Sequence, residues 1–358
     1  KIYAAEGHDD TVEAALSAAA KDTPVRSPFR LELIQFYLQG YDIEKGRSHL
    51  TEMLEAAPNL VPALVLLARV EQADNDVEGA LKTIHSILYL DPTNHDGLIM
   101  KAACLRRLDN AVEAAPLLSD LVKLYPNSHL AYFELAQTHA VLNQSKQASQ
   151  SLLQALHLKP DFHQARALLS LIQLNSGDYG RSTINLKQLL KSNPDDPNIQ
   201  MQLASSLQGQ GNIEAALELY QGLEASDPTN AQVSYLKGNA YLQLNDIANA
   251  VAAFKQSLQR DPDYMPALER LIYYYLSEKR FSDAAAQIDS RIHTSPENPE
   301  LHMLQAIIRA AQDDNDSAKN ALFQAIELKP DYRNAHFMLA QLYLKDDEHH
   351  FTYVMSLL

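Results

Sequence analysis

The sequence contains one cysteine, few glycines and no long apolar run, and each shortage excludes a class of structure. Cys104 is the single cysteine among 358 residues, which excludes an internal disulfide framework and a cysteine-based zinc site. A lone thiol fits the bacterial cytoplasm and a disulfide-free periplasmic protein equally well. Because no run of about 18 apolar residues occurs, we expect no membrane span. The 11 glycines, with 46% hydrophobic and 21% charged residues, indicate a folded, helix-rich chain.

Positive charge is also in short supply. Lys and Arg together number 30, Asp and Glu number 45, and the formal net charge is -15. A protein that binds nucleic acid through its phosphates needs a basic face. We therefore expect no nucleic-acid partner, although a basic cleft on an acidic body remains compatible with the composition.

Prolines recur at a constant interval along the chain. The positions are Pro24, Pro58, Pro92, Pro126, Pro160, Pro194, Pro228, Pro262, Pro296 and Pro330. A chain of this length exceeds what one hydrophobic core usually serves, so the period predicts a repeat array. If the first unit spans 27–60 and contains Pro58, nine units of equal length span 27–332. Residues 1–26 then hold the end of an earlier unit, and 333–358 hold a partial or atypical closing unit.

Small residues recur at two positions of each unit. Position 20 is small throughout: Gly46, Ala80, Ala114, Ala148, Ser182, Ala216, Ala250, Ala284 and Ala318. Position 8 is small in most units: Ala68, Ala102, Ala136, Ser170, Ala204, Gly238, Ala306 and Ala340. Small side chains at fixed points let two helices approach closely, where a larger residue would overpack at roughly 1–3 kcal/mol. With apolar residues at helical spacing between these points, each unit is predicted to be two helices.

Polar breakers such as "DND" at 74–76 and "QGN" at 210–212 mark the turn between the two helices. The periodic proline lacks an N–H group and disfavours helix in the residue before it, so it ends the second helix. Pro116 departs from this pattern because it lies inside a second helix. We expect a local bend there.

The stretch 237–263 resembles the tetratricopeptide repeat, a helix-turn-helix unit of about 34 residues, which is also the interval between the periodic prolines. Gly238, Tyr241, Ala250 and Phe254 occupy signature positions of that family, as does Pro262. The resemblance covers about 27–346. It implies an all-α fold, a right-handed α-solenoid of helix-turn-helix repeats.

The same resemblance implies that one face of the first helices, at positions 2, 5, 9, 12 and 13, lines a concave groove that binds peptides. We call this face the groove stripe. The aromatic candidates for binding are Phe133, Tyr235, Tyr273 and Phe337, and the amides that would bond an extended backbone are Gln137, Asn239 and Gln341. The alternative is that these side chains merely pack against a neighbouring repeat.

Arg69, Arg106 and Arg107 lie at positions 9, 12 and 13 of adjacent units. They are expected to form a basic spot that contacts a carboxylate or an acidic peptide. Solvated surface arginines are the competing interpretation.

No set of residues indicates catalysis or metal binding. His95, His129 and His163 all occupy position 1, so they form a column spaced by about 8–10 Å or more, too far apart to share one metal ion. "GQGNIEA" at 209–215 echoes a dinucleotide-binding loop but joins two helices without a preceding strand. We expect a packed thiol at Cys104, no cofactor and no enzymatic activity.

The function expected is a scaffold that binds a protein or an extended peptide in the groove. The alternative is a regulatory or assembly part of a larger enzyme or of a bacterial envelope export or exopolysaccharide machine. The apolar end of the chain, with Phe351, Tyr353, Val354 and Met355, is expected to be covered by a second copy or by further sequence.

Overall fold

The computed structural model describes residues 9–346, and all regular structure in that range is helical. Between these residues there are α-helices, one π-helical turn and no β-strand. This confirms the predicted all-α class. The chain divides after Leu189 into two compact parts, the first unit and the second unit, each of which contains several repeats.

The first unit consists of short helices joined by tight turns. These are α1 (Asp9–Ala20), α2 (Pro28–Phe36), the π-helical turn (Tyr37–Tyr41), α3 (Ile43–Ala56), α4 (Val61–Ala73), α5 (Val77–Leu90), α6 (His95–Arg107), α7 (Ala111–Leu124), α8 (His129–Val141), α9 (Ser145–Leu158), α10 (His163–Asn175) and α11 (Tyr179–Leu190).

The second unit continues the same alternation. Its helices are α12 (Pro197–Gly209), α13 (Ile213–Ser226), α14 (Ala231–Gln243), α15 (Ile247–Arg260), α16 (Met265–Ser277), α17 (Phe281–Thr294), α18 (Pro299–Ala311), α19 (Asn315–Leu328) and α20 (Arg333–Asp346).

From α4 onward each even-numbered helix begins at position 1 of its repeat, and from α4 to α18 each packs against the helix that follows it. The turn inside each pair contains one residue with a left-handed backbone, always at position 15. These residues are Asn75, Asp109, Asn143, Gly177, Gly211, Asn245, Lys279 and Asp313. A left-handed residue is a common end for a helix, and Gly, Asn and Asp adopt it most readily. The predicted polar breakers therefore end the first helix of each pair.

The first repeat ends its first helix differently. Gly40, at position 14, has φ 116° inside the π-helical turn Tyr37–Tyr41. Gly46, at position 20, lies close to the first helix, because a Cβ there would lie 2.9 Å from the side chain of Leu38.

The small residues at positions 8 and 20 are buried together between the two helices of a repeat. Ala68 and Ala80 share one core cluster and Ala136 and Ala148 another, and all four side chains are fully buried. In the α10–α11 pair, Oγ of Ser182 donates to the carbonyl oxygen of Ser170 at 2.9 Å. The repeated small residues thus allow the close helix contact that the sequence predicted.

In four places the carbonyl oxygen of the periodic proline accepts a hydrogen bond from a side chain at position 4 of the next first helix. The pairs are Arg166 with Pro160 at 2.7 Å, and Gln200 with Pro194, His302 with Pro296 and His336 with Pro330, each at 2.8 Å. Because proline ends the second helix, its carbonyl has no helical partner, and these bonds tie successive repeats together.

Two expectations from the sequence concern irregular places. Helix α7 runs from Ala111 to Leu124 through Pro116, whose side chain is exposed, so the proline does not end the helix. Phe351 and its apolar neighbours lie outside the described residues. No helix between residues 9 and 346 is long and apolar enough to cross a membrane.

The contact at Gly238 predicts a stability effect. An added Cβ would lie 2.5 Å from Cε1 of Phe254, so Gly238→Ala should lower the free energy of unfolding by about 1–3 kcal/mol. Gly222→Ala is the matched control, because a Cβ there meets nothing within 4 Å in the middle of α13. The control should gain about 0.5–1 kcal/mol. Thermal unfolding followed by circular dichroism measures both, and equal midpoints would contradict the prediction.

Lys279 predicts a gain in stability. Its φ of 56° costs an ordinary side chain more than it costs Asn, which three other repeats use at this position. We expect Lys279→Asn to raise the free energy of unfolding by about 0.5–1 kcal/mol. Gly211→Ala, at φ 83° in an equivalent turn, should instead lower it. Denaturant titration of both variants checks the opposite signs.

Candidate functional site

The groove stripe is carried by first helices that lie side by side within each unit. In the first unit α4 contacts α2 and α6, and α6 contacts α8; in the second, α12 contacts α14, and α16 contacts α18. Positions 4, 8 and 11 of each first helix face its partner helix, so positions 5 and 9, about 100° further round the helix, lie on a different face. The stripe is therefore a shared surface rather than a set of separate helix faces.

A hollow of about 360 Å³ opens on this stripe in the first unit. Its wall consists of Leu31, Gln35, Val61, Pro62, Val65, Leu66, Arg69, Asn94, His95 and Asp96. Four of these residues are at positions 5 and 9 of α2 and α4. The volume is in the range of pockets that take a side chain or a small ligand.

The three arginines expected to form a basic spot are all engaged within the chain. Arg69 bonds Asp96 at 2.8 Å, and Nη1 of Arg107 donates to the carbonyl oxygen of Gln72 at 2.9 Å. Arg106 is shared between Glu134 at 2.7 Å and the side-chain oxygen of Gln137 at 2.8 Å, so Gln137 is part of the same contact.

These bonds link successive first helices, α4 to α6 and α6 to α8. Asp96 and Glu134 offset the charges of Arg69 and Arg106, which leaves less free positive charge than the sequence indicates. The Arg69 pair is about half exposed, and such pairs contribute about 0–1 kcal/mol. A partner carboxylate could therefore compete for Arg69 at little cost, whereas Arg106 is more enclosed.

Phe133 and Tyr235 are half-buried and pack against aromatic rings of their own repeats. The Phe133 ring lies 4.9 Å from that of Phe162, and the Tyr235 ring lies 5.6 Å from that of Tyr264. Phe162 and Tyr264 stand at the N-cap positions of α10 and α16, where they make no side-chain cap bond, while Asn230 caps α14. These two aromatics thus act at least partly in packing against the last residue of their own repeats.

Tyr273 and Phe337 are the two aromatic candidates whose side chains are exposed to solvent. Their exposed fractions are 51% and 57%. Gln341 is also exposed, one turn beyond Phe337 on α20, and Asn239 is half-buried on α14. The sequence therefore predicts one set of residues, but the structure separates them into packed and open members.

The carboxylates that pair with these arginines were not identified from the sequence. Asp96 lies 27 residues after Arg69, and Glu134 lies 28 residues after Arg106. Opposite charges at this spacing are the signal that could have revealed the contacts. Glu269 and Glu300 were missed too, although both lie on the stripe of the second unit.

Glu269 is influenced by other ionisable groups of the second unit. Burial raises the pKa of Glu269, and the nearby charge of Glu300 raises it further against the opposing effect of Arg270. Burial also raises the pKa of Tyr332, and Glu300, Glu269 and Tyr273 add to that shift. Glu269 and Tyr273 lie on α16 and Glu300 lies on α18, which contacts α16, while Tyr332 directly precedes α20.

A second hollow, of about 650 Å³, lies in the first repeat among α1, α2 and α3. Its wall is mostly apolar and includes Ile34 and Met53, with Lys45 at its edge. Lys45 pairs with Glu13 at 2.5 Å, and the Tyr37 hydroxyl donates to Glu13 at 2.7 Å. These bonds lower the pKa of Glu13 to about 2, the Lys45 bond having the larger effect.

Two of the three histidines at position 1 contact neighbouring side chains, whereas His163 is exposed. His95 contacts Oγ of Ser128 at 2.6 Å and the edge of Tyr125, and His129 lies edge-on to Phe162 at 5.2 Å. No group of three or more His, Cys, Asp or Glu side chains suited to a metal ion occurs within residues 9–346.

Cys104 is buried in α6. The side-chain amide of Gln72 lies 3.1 Å from its sulfur. The same amide donates to the carbonyl oxygen of Met100 at 3.2 Å, so the thiol lies beside a contact between α4 and α6.

Comparison with known proteins identifies the repeat. Tetratricopeptide repeat family models match residues 173–240 and 241–308, residues 303–349 and residues 96–128, which together are more than half of the chain.

Curated relatives are distant. BBSome complex member BBS4 of Bos taurus is 20% identical over 330 residues, covering 83% of this chain and 64% of that protein. The TPR repeat-containing protein YpiA of Bacillus subtilis is 23% identical over 280 residues, covering 76% of this chain and 65% of that protein. The chain thus spans less than two thirds of the length of either relative.

A solved structure of a tetratricopeptide repeat protein from Parabacteroides merdae aligns with a TM-score of 0.54. It is 13% identical and covers 79% of this chain and 98% of that one, which shows a shared fold. The periodic hairpins, their small contact residues and the matching family models show that this chain belongs to the tetratricopeptide repeat family.

Proposed function

We propose that this chain is a protein-interaction scaffold that holds an extended peptide, or an exposed segment of a protein, on the groove stripe. The observation that carries the proposal is the exposure of Tyr273 and Phe337 on first helices that otherwise pack closely. Large apolar side chains that share an exposed face are typical of binding surfaces. Binding, rather than catalysis, is the activity such a surface supports.

The stripe offers the two kinds of contact that an extended segment needs. Tyr273 and Phe337 provide rigid apolar area, and Gln341 and Asn239 provide amide donors and acceptors for a peptide backbone. In the first unit, the hollow beside Arg69 would accept a side chain of a segment that binds to that unit. The partner would thus be held by a few anchors among weaker contacts.

A second role follows from the lengths of the relatives. Both are longer than this chain, and one is by name a member of a protein complex. The scaffold would then be the assembly part of a larger protein or machine. The same surface would serve either role, so the tests below apply to both.

The packed aromatics predict a cost in stability. Phe133→Ala removes a ring that contacts Phe162 and should lower the free energy of unfolding by about 1–3 kcal/mol. Phe337→Ala removes a mostly exposed ring and should change it by about 0.5 kcal/mol or less. Denaturant titration compares the two variants. Equal losses would mean that Phe337 also serves packing.

The open aromatics predict a loss of binding. A displayed library of random peptides, selected against the whole chain, supplies a ligand whose Kd is measured by calorimetry. The double variant Tyr273→Ser, Phe337→Ser should weaken binding about tenfold or more, because each aromatic anchor is worth about 1 kcal/mol or more.

The matched control changes two exposed aromatics on second helices. Tyr89 on α5 is 87% exposed and Phe323 on α19 is 41% exposed. The variant Tyr89→Ser, Phe323→Ser should leave the Kd unchanged. Loss of binding in the control, or full binding in the groove variant, would place the binding surface elsewhere.

A further inference from the structure

The groove stripe of α16, α18 and α20 is apolar and open. Tyr273 and Phe337 are more than half exposed, and Met303 and Ile307 are half-buried between them in sequence, on α18. Leu344, one helical turn beyond Gln341, is 52% exposed. A partner segment could therefore bury apolar side chains along this part of the stripe.

As far as Leu344 the charged side chains of this surface have one sign, and Lys345, at position 13 of α20, is the first residue of opposite sign. From Pro197 to Leu344, positions 2, 5, 9, 12 and 13 of the first helices contain two charged residues, Glu269 and Glu300. Glu269 lies one turn before Tyr273 on α16, and Glu300 lies in the first turn of α18, which contacts α16. The apolar surface thus carries negative charge at one edge.

In the first unit, the carboxylate at the equivalent position pairs with an arginine. There Arg69, at position 9 of its repeat, bonds Asp96, at position 2 of the next repeat. Tyr273 and Glu300 occupy the same two positions of their own repeats, with the same separation along the sequence. The carboxylate is present in the second unit, but a tyrosine stands where the arginine would be.

Neither carboxylate forms a direct ion pair in the part of the chain that the structure describes. No ion pair or hydrogen bond joins the side chain of Glu269 or Glu300 to another residue there, although Arg270 is a neighbour in sequence. Lys329 lies 5.2 Å above the Tyr332 ring, so one cation already contacts an aromatic ring next to this surface. The repulsion between the carboxylates, noted above for Glu269, would be relieved by a positive charge.

We propose that this surface binds a partner segment in which a lysine or arginine is flanked by apolar residues. The inference rests on the proposed function and specifies the partner. The cationic group would lie between Glu269 and Glu300, with its aliphatic stem against the Tyr273 ring. The flanking apolar side chains would cover Met303, Ile307 and Phe337.

The test uses defined peptide pools and the whole chain. Each pool contains acetylated, amidated heptapeptides whose central residue is lysine, arginine, norleucine or glutamate, with the other positions varied among Leu, Phe, Val, Ala and Gly. Fluorescence polarisation competition measures their binding. Lysine and arginine pools should bind about five- to tenfold more tightly than the norleucine pool, and added salt should reduce the difference.

Two variants address the mechanism of this preference. The double variant Glu269→Gln, Glu300→Gln should bind the lysine and norleucine pools equally. Tyr273→Arg should also remove the preference, because it supplies Glu300 with the internal partner that Asp96 already has. The control Glu214→Gln, Glu218→Gln makes the same charge change at exposed positions on α13 and should keep the preference.

The outcomes separate this inference from the proposed function. If the norleucine pool binds as tightly as the lysine pool, and both are weakened by Tyr273→Ser with Phe337→Ser, the groove binds peptides but the cation preference is wrong. If the preference survives the double glutamine variant, it arises elsewhere and the inference is again wrong. If no pool depends on the groove aromatics, both proposals fail.

Discussion

Close contact between position 8 of the first helix and the small residue at position 20 of the second helix is the constraint on which the rest of the structure depends. It sets how near the helices lie and how each first helix is rotated about its axis. Once that rotation is fixed, positions 4, 8 and 11 must face the core and positions 5 and 9 must face the groove. A repeated alanine therefore decides where Tyr273 and Arg69 point, although neither touches it.

The helical repeats could be predicted from the sequence because the periodic features act locally. Proline ends a helix by its own chemistry, and a residue such as Asn75 turns the chain by its own backbone preference. The state of each groove residue could not be predicted in this way, since it depends on a residue elsewhere in the repeat. Phe133 is packed because its own repeat ends in Phe162. Tyr273 is open in a repeat that ends with the capping Asn298.

The groove stripe also differs chemically between the two units, and the composition of the whole chain does not reveal this difference. In the first unit, polar side chains bond one first helix to the next, as Arg106 does with Glu134. In the second unit, the corresponding surface keeps its apolar rings and its carboxylates without such bonds among the described residues. The same fold thus uses its polar groups for internal cohesion in one region and leaves them available to a partner in another. The net charge of -15 is a property of the whole chain and does not indicate which carboxylates are paired in either region.

The fixed sequence separation between bonded groups on neighbouring first helices, as in Arg69 with Asp96 and Arg106 with Glu134, has a consequence for how such proteins change over generations. An insertion of one or two residues between bonded partners would rotate a helix and break every such contact across it. Duplication of a whole repeat-length segment would instead copy the contacts intact. A single substitution at position 9 then decides whether the copied segment bonds to the next first helix.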